Sequence, residues 1–362
     1  MHIAVDARII NSTTGRYVER LLHYLEQVDK TNTYTILVRK KDLNFWKPTN
    51  NNFSVLEADF SDYSFGEQVG LLKLLSELKP DLVHFCMPQQ PILYKGTHVT
   101  TMHDLTLLKT YNSDKNWLAF HIKQLIGRGV FWWIARSSAE IITPSMFTKV
   151  EYQKFARIDS EKIHVIYESA DIGKKRPKKY SGTAKKYILY VGQQSDYKNV
   201  RRLASAHQQL LEKYPDLQLV LVGKKNTSAL RNEKLFKKQS YRNIHFTGFV
   251  DDAELAWLYK NCQAYIFPSL MEGFGLPGLE AMLYGAPVVS SNATCLPEVY
   301  GNAAHYFNPH YPGDIAQAID EVLRDDKLRA QLIKNGAQQV KKYSWKKMAQ
   351  ETLKVYKKAT TK

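Results

Sequence analysis

Short apolar runs bounded by polar or glycine-containing turns recur along the chain, alternating with longer stretches in which apolar residues return every three or four positions. The first pattern is that of strands buried on both faces and the second that of amphipathic helices, so their alternation predicts parallel sheets with crossover helices. In the first half, strands are expected at 3–6, 35–39, 82–86, 99–103, 140–143 and 163–167, with helices notably at 16–27, 67–78 and 117–138. A second series places strands at 187–191, 217–222, 244–246, 264–267, 287–290 and 304–307.

Between the two series the periodicity lapses. From Asp171 to Lys186, Gly173, Pro177, Ser181 and Gly182 punctuate a run that includes Lys174, Lys175, Arg176, Lys178 and Lys179 and has no acid after Asp171. The expected organisation is a Rossmann-like domain at 1–171, a basic linker at 172–186 and a second Rossmann-like domain at 187–343. A closing segment at 344–362, helical over 345–358, is expected to return to the first domain. Two such α/β halves would turn the carboxyl ends of both sheets toward a central cleft.

At roughly 150 residues per domain, a chain of 362 residues supports two cores, in line with this division. Its 44% apolar and 24% charged residues exclude disordered, collagen-like and low-complexity classes. No run approaches the ~18–20 apolar residues of a membrane span, and the opening Met1-His2-Ile3-Ala4-Val5-Asp6 reads as a buried strand and not a leader. A cytoplasmic location is expected. Cys86, Cys262 and Cys295 are widely separated and odd in number, which points to buried thiols and away from disulfides or a zinc site.

Charge changes the picture more. Lysine plus arginine number 51 against 35 acids, and a net charge of +16 favours nucleic acid, anionic lipid or phosphorylated ligands as partners. No helix-turn-helix, zinc-finger or RNA-recognition signature accompanies it, so nucleic acid is not expected. Residues 117–136 mix Phe131, Trp132 and Trp133 with Lys123, Arg128 and Arg136. They read either as a core helix, favoured because apolar residues surround the second half of the segment, or as a helix lying on the inner face of the plasma membrane.

The richest chemistry lies at 268–282, where an apolar strand gives way to Glu272-Gly273-Phe274-Gly275-Leu276 and then to a helical pattern containing Glu280. Gly273 and Gly275 let the backbone approach a ligand, and the helix start offers free N–H groups to an anion. Glu272 and Glu280 cannot both sit on that anion. One carboxylate suits sugar hydroxyls and the other a ribose, unless both are surface side chains of an ordinary turn.

This segment resembles the retaining glycosyltransferases of family four, the group 1 transferases with the GT-B fold, whose E-x7-E motif Glu272 and Glu280 match. Further matches are Thr14-Gly15-Arg16-Tyr17, His103-Asp104-Leu105, Thr143-Pro144-Ser145, Tyr190-Val191-Gly192, Lys198-Asn199, Gly248-Phe249-Val250 and Tyr343-Ser344-Trp345. The resemblance implies that Glu272 and His103 face the donor sugar and that Glu280 binds the ribose. The backbone of Gly273, Phe274, Gly275 and Leu276 would meet the sugar and diphosphate, Lys198 would neutralise the diphosphate, and Gly192 falls within the same donor-side set. Gly15 and Arg16 would reach the diphosphate from the other domain, and Phe249 and Val250 would hold the base.

Gln193 and Tyr197 stand where the family usually has an arginine. Arg201 or Arg202 is the expected replacement, since they fall three and four residues beyond Lys198 on the same helical face. The first loop reads Thr13-Thr14-Gly15 where two glycines are usual, and Tyr167-Glu168-Ser169-Ala170-Asp171 replaces a common Asn-Gly pair.

No Asp-x-Asp pair is present, so the expected reaction is metal-independent and cofactor-free. It moves a mannosyl or rhamnosyl group from a nucleotide sugar to a saccharide or lipid-linked acceptor in cell-surface polysaccharide synthesis. Retention would follow from front-face substitution. A sugar-nucleotide epimerase of the same architecture, which would need no acceptor, and an inactive nucleotide-sugar or polyanion-binding relative are the alternatives.

Overall fold

Among the described residues, thirteen parallel strands form two sheets. The computed structural model describes residues 1–12, 14–61, 64–110, 117–173, 175–183 and 185–361, with the backbone alone at 117–120. Thr13 and Lys174 therefore lie outside the described residues. The chain divides into two compact units, one comprising Met1–Leu108, Ile122–Glu168 and Ser344–Lys362, the other built on Ser169–Tyr343.

In the N-terminal unit, β1 (His2–Asp6), β2 (Thr33–Val38), β3 (Phe53–Glu57), β4 (Leu82–Phe85), β5 (His98–Thr101), β6 (Glu140–Thr143) and β7 (Ile163–Val165) lie in the order β3-β2-β1-β4-β5-β6-β7. Ile3, Ala4 and Val5 of the inner strand β1 are fully buried because helices cover both faces of a parallel sheet. Edge strand β3 was not expected. Its Phe-Ser-Val-Leu-Glu sequence is only half buried and lacks the continuous apolar run of an inner strand. Cys86 and His103, expected as strand ends, lie just beyond β4 and β5 in the following loops. The helix expected over 67–78 opens with a π-helical turn, Glu67–Leu71, in which Glu67 pairs with buried Arg8 at 2.9 Å.

The helix Trp345–Thr360 belongs to this N-terminal unit. Ser344 caps it by accepting from the Lys347 N–H, and Trp345, Met348, Ala349, Thr352, Val355 and Tyr356 recur at helical spacing on its buried face. That face packs on the helix Gly15–Val28 and on β4, β5 and β6.

The C-terminal unit carries β8 (Tyr187–Val191), β9 (Gln218–Val222), β10 (Ile244–Gly248), β11 (Ala264–Phe267), β12 (Val288–Ser291) and β13 (Ala304–Phe307) in the order β10-β9-β8-β11-β12-β13. This doubly wound order reverses direction between β8 and β11, where such sheets bind ligands. The basic segment at 172–186 runs along this unit. The Gly173 N–H donates to the Tyr284 hydroxyl at 2.9 Å, the Lys178 N–H donates to Ala253 O at 2.9 Å, and the Tyr180 hydroxyl meets His245 Nε2 at 2.9 Å.

Candidate active site

The reversal between β8 and β11 sets the first half of the site. Beyond β8, Gly192 leads into a 3-10 turn, Asp196–Lys198, and Asn199 takes a left-handed conformation at φ 61° before the helix Val200–Leu210 begins. The Asn199 amide donates to Pro268 O at 3.0 Å and to Pro309 O at 2.7 Å, and the Leu270 N–H donates to Tyr197 O at 2.8 Å. These bonds fasten the lysine turn to the loops that follow β11 and β13.

Across that seam, Lys198 Nζ donates to Glu272 Oε1 at 2.6 Å, with both side chains largely buried. Burial alone would pull the Lys198 pKa down. The Glu272 carboxylate outweighs it, with smaller contributions from Tyr197 and Tyr190, and holds the ammonium above its ordinary value. The Glu272 backbone is gripped as well, its N–H donating to Thr294 Oγ1 at 3.3 Å and its carbonyl accepting from Cys295 Sγ at 3.3 Å.

The glycines of the loop have a structural cause that the sequence did not reveal. Gly275 sits at φ +98°, and its carbonyl accepts from the buried Tyr300 hydroxyl. A Cβ at Gly275 would come within 2.5 Å of that hydroxyl, and one at Gly278 within 2.3 Å of the Tyr300 ring. In this structure both positions are therefore held to glycine by Tyr300. The helix Leu276–Leu283 then starts without a side-chain cap and with Pro277 in its first turn. Glu280 lies one turn further, its Oε2 3.4 Å from the Tyr259 hydroxyl. Lys198 and Glu272 are thus brought together, while Glu280 has its own partner.

Phe249 and Val250 separate. The Phe249 ring is 77% exposed after β10, whereas Val250 is buried. Arg201 and Arg202 do not share a helical face with Lys198, because left-handed Asn199 interrupts the helix between them. Arg201 Nε donates to Asn232 Oδ1 at 2.8 Å and its guanidinium lies 3.6 Å from Asp196, while Arg202 donates to Asn199 Oδ1 at 3.0 Å.

In the N-terminal unit, His103 follows β5. Its Nε2 lies 3.0 Å from Cys86 O and therefore donates, and its Nδ1 faces Glu168 Oε1 at 3.4 Å. Both ring nitrogens thus meet protein acceptors. The Tyr17 ring packs edge-on against His103 with centroids 4.8 Å apart, and the Tyr17 hydroxyl meets Thr101 Oγ1 at 2.9 Å. Thr101 in turn lies 2.8 Å from Nε2 of buried His84, whose Nδ1 meets the Tyr356 hydroxyl at 2.6 Å. Burial foremost, and His103 second, push the His84 pKa down to about 3.

Gly15 begins the helix Gly15–Val28, with Arg16 next to it. A Cβ at Gly15 would fall 1.9 Å from Ile10 O, so its own loop requires the glycine, beyond any approach of a ligand. Asn199, Tyr300 and Glu168 were missed as site residues. Asn199 stood inside a matched motif, whereas Tyr300 and Glu168 carry no local pattern that marks them. Among the described residues, no group of three or more His, Cys, Asp or Glu side chains is disposed to hold a metal ion.

With this geometry established, the chain can be placed among known proteins. Sucrose-phosphate synthase from Thermosynechococcus elongatus superposes with a TM-score of 0.79 over 99% of this chain and 98% of its own, at 18% identity. The fold is GT-B.

The description "Glycosyl transferases group 1" matches residues 171–339, and "Glycosyltransferase Family 4" matches residues 15–174. The chain belongs to the group 1, family 4 glycosyltransferases. O-antigen chain mannosyltransferase B of Escherichia coli is 36% identical over 49% of this chain and 48% of its own length. Serotype-specific mannosyltransferase WbdA of Escherichia coli is 32% identical over 68% of this chain and 32% of its own length. The matched regions thus span about half of the first relative and a third of the second.

Proposed function

We propose that the protein is a retaining, metal-independent hexosyltransferase that moves a mannosyl group from a nucleotide sugar to a saccharide or lipid-linked acceptor in cell-surface polysaccharide synthesis. The observation that carries this reading is the pairing of Lys198 with Glu272 at 2.6 Å, where the sheet order of the C-terminal unit reverses. A diphosphate leaving group builds up negative charge as the glycosidic bond breaks. An ammonium fixed in a partly dry site stabilises that charge better than a solvated one. Lys198 is already oriented by Glu272, so little reorganisation is needed when the donor arrives.

Glu272 then turns its acceptor oxygens to the sugar hydroxyls, Glu280 takes the ribose hydroxyls, and the N-terminal N–H groups of the helix Leu276–Leu283 receive phosphate oxygens. Main-chain groups of Gly273, Phe274, Gly275 and Leu276 meet the donor, Gly192 lies beside it, and the exposed Phe249 ring with the main chain of buried Val250 holds the base. In the N-terminal unit, His103 is assigned to the transferred sugar and Gly15 and Arg16 to the diphosphate. Retention follows from front-face substitution: the sugar–phosphate bond breaks, the departing phosphate takes the proton of the acceptor hydroxyl, and that oxygen bonds the same face of the sugar. The mannosyl choice draws on the named activities of the two Escherichia coli relatives. The reaction is placed on the cytoplasmic side of the membrane.

A thermal-shift panel of GDP, UDP, dTDP and ADP tests the donor site. One nucleotide, GDP for a mannosyl donor, should raise Tm by about 5 °C at ~100 times its Kd. No shift with any of the four, or a full shift retained in Lys198→Ala, would overturn the reading.

A further inference from the structure

One short segment grips the loop 272–275 at both ends. At the segment's start, Thr294 Oγ1 accepts from the Glu272 N–H and Cys295 Sγ donates to the Glu272 carbonyl, each at 3.3 Å. At its end, the Tyr300 hydroxyl donates to Gly275 O. The helix Leu296–Tyr300 joins the two and buries Leu296, Val299 and Tyr300. Upstream, the Asn292 N–H donates to Phe307 O and the Ala293 N–H to Ser291 Oγ, both at 3.0 Å. Residues 292–300 are thereby tied to β12 and β13 and form a scaffold under the loop.

That scaffold contains a strained residue. Thr294 sits at φ +57°, a left-handed conformation that is an outlier for a side chain branched at Cβ. Among the described residues, the other non-glycine positions with positive φ are Lys79, Arg157, Asn199, Ser240 and Asn243, none of them β-branched. Lys79 and Arg157 end helices, and asparagine tolerates this region.

The turn itself does not call for threonine. Main chain alone closes it, the Leu296 N–H donating to Ala293 O at 3.3 Å, and glycine would take the position without strain. What threonine adds is a hydroxyl aimed at the Glu272 N–H. Strain of this kind persists where the surroundings over-determine it, and it gathers at functional sites. The Glu272 carboxylate is held at its tip by Lys198. Under the transferase reading, on which this inference rests, the carboxylate turns from Lys198 to the sugar hydroxyls and that contact is given up. The bonds from Thr294 and Cys295 involve only the Glu272 main chain, so they remain in force.

We propose that Thr294 is a positioning residue for Glu272: its left-handed main chain aims Oγ1 at the Glu272 N–H and so fixes the direction from which the carboxylate reaches the transferred sugar. A misplacement of about 1 Å at a reacting centre costs on the order of 10²-fold in rate. Losing one of the two bonds to the Glu272 main chain shifts the carboxylate by less than that, so the expected loss is about tenfold.

Steady-state turnover of the full chain with GDP-mannose, read as GDP release, tests it. Thr294→Val keeps the branched shape and loses the acceptor, so kcat should fall about tenfold while donor KM stays within about twofold. Thr294→Ser restores the hydroxyl and should recover most of that loss. Thr294→Gly removes hydroxyl and strain together, so kcat should fall as in Thr294→Val while Tm does not, release of the left-handed strain offsetting the lost bond. Unimpaired turnover in Thr294→Val, a loss in Thr294→Ser as large as in Thr294→Val, or a Thr294→Gly chain that is less stable yet fully active would each overturn the proposal. Glu272→Gln separates the two levels. Near-normal turnover there overturns the transferase reading and this inference together, whereas a crippled Glu272→Gln beside an unimpaired Thr294→Val overturns the positioning role alone.

Discussion

In the C-terminal unit an ammonium and a carboxylate, Lys198 and Glu272, lie 2.6 Å apart at the reversal of the sheet, whereas in the N-terminal unit His103 rests between a carbonyl and a carboxylate. Both units share the parallel 3-2-1-4-5-6 strand order, extended in the first by β7. The difference lies in what holds each functional group. Lys198 is oriented by the Glu272 carboxylate and by the bonds of the Asn199 amide to Pro268 O and Pro309 O, and His103 by acceptors at both ring nitrogens and by the edge-on Tyr17 ring, whose hydroxyl meets Thr101. The same topology therefore supports a charge-based grip on a lysine in one unit and, in the other, an imidazole held at both nitrogens and packed against a tyrosine.

The largest expected effect breaks the charge-based grip. Lys198→Ala and Glu272→Gln should each lower kcat by roughly 10²–10³-fold in a nucleotide-sugar transfer assay while far-UV circular dichroism is unchanged. Near-normal turnover in either variant would mean that the pair is structural only.

A second prediction sharpens the comparison through pH, because each unit buries a histidine whose pKa burial pushes well down. His84 is pushed down to about 3, mainly by burial, and His207 down to about 4 by burial against the opposing Leu217 carbonyl bond. Both titrate near 6.5 when exposed on unfolding. As pH falls below about 6.5 the unfolded chain takes up protons that the folded chain refuses, so stability should drop by up to ~1.4 kcal/mol per pH unit for each histidine, down to about pH 4. Denaturant titrations across that range measure the slope, and His207→Gln should reduce it. A flat profile would mean that these rings are accessible to protons in the native state.

The smallest effect concerns the arginines. With Arg201 held by Asn232 and Arg202 by Asn199, donor KM in Arg201→Ala and Arg202→Ala should stay within about twofold of the unsubstituted protein. A larger rise in either would show that its guanidinium leaves these partners for the diphosphate.

Much of this was legible beforehand where the signal is local. The inner strands are continuous apolar runs, and all six strands of the C-terminal unit fell within one or two residues of their expected positions. The Glu272 to Glu280 segment is one contiguous stretch, so its strand, loop and helix could be read together. Edge strand β3 escaped because half burial breaks its apolar pattern. The constraint of Tyr300 on Gly275 and Gly278, and the contact of Glu168 with His103, join residues far apart in sequence, and no periodicity encodes them. The expected helical face for Arg201 and Arg202 failed on a single left-handed residue, Asn199.

The helix Trp345–Thr360 has a consequence for how the protein is made. It seals the N-terminal unit, its Tyr356 hydroxyl meeting His84 and Thr360 Oγ1 touching Met1 Sδ. A ribosome reaches this helix only after synthesising all of 169–343, which at typical elongation rates takes about 10–35 s. During that interval the nascent N-terminal half exposes an unsealed apolar groove, so chaperone capture should be greatest for chains stalled before residue 344.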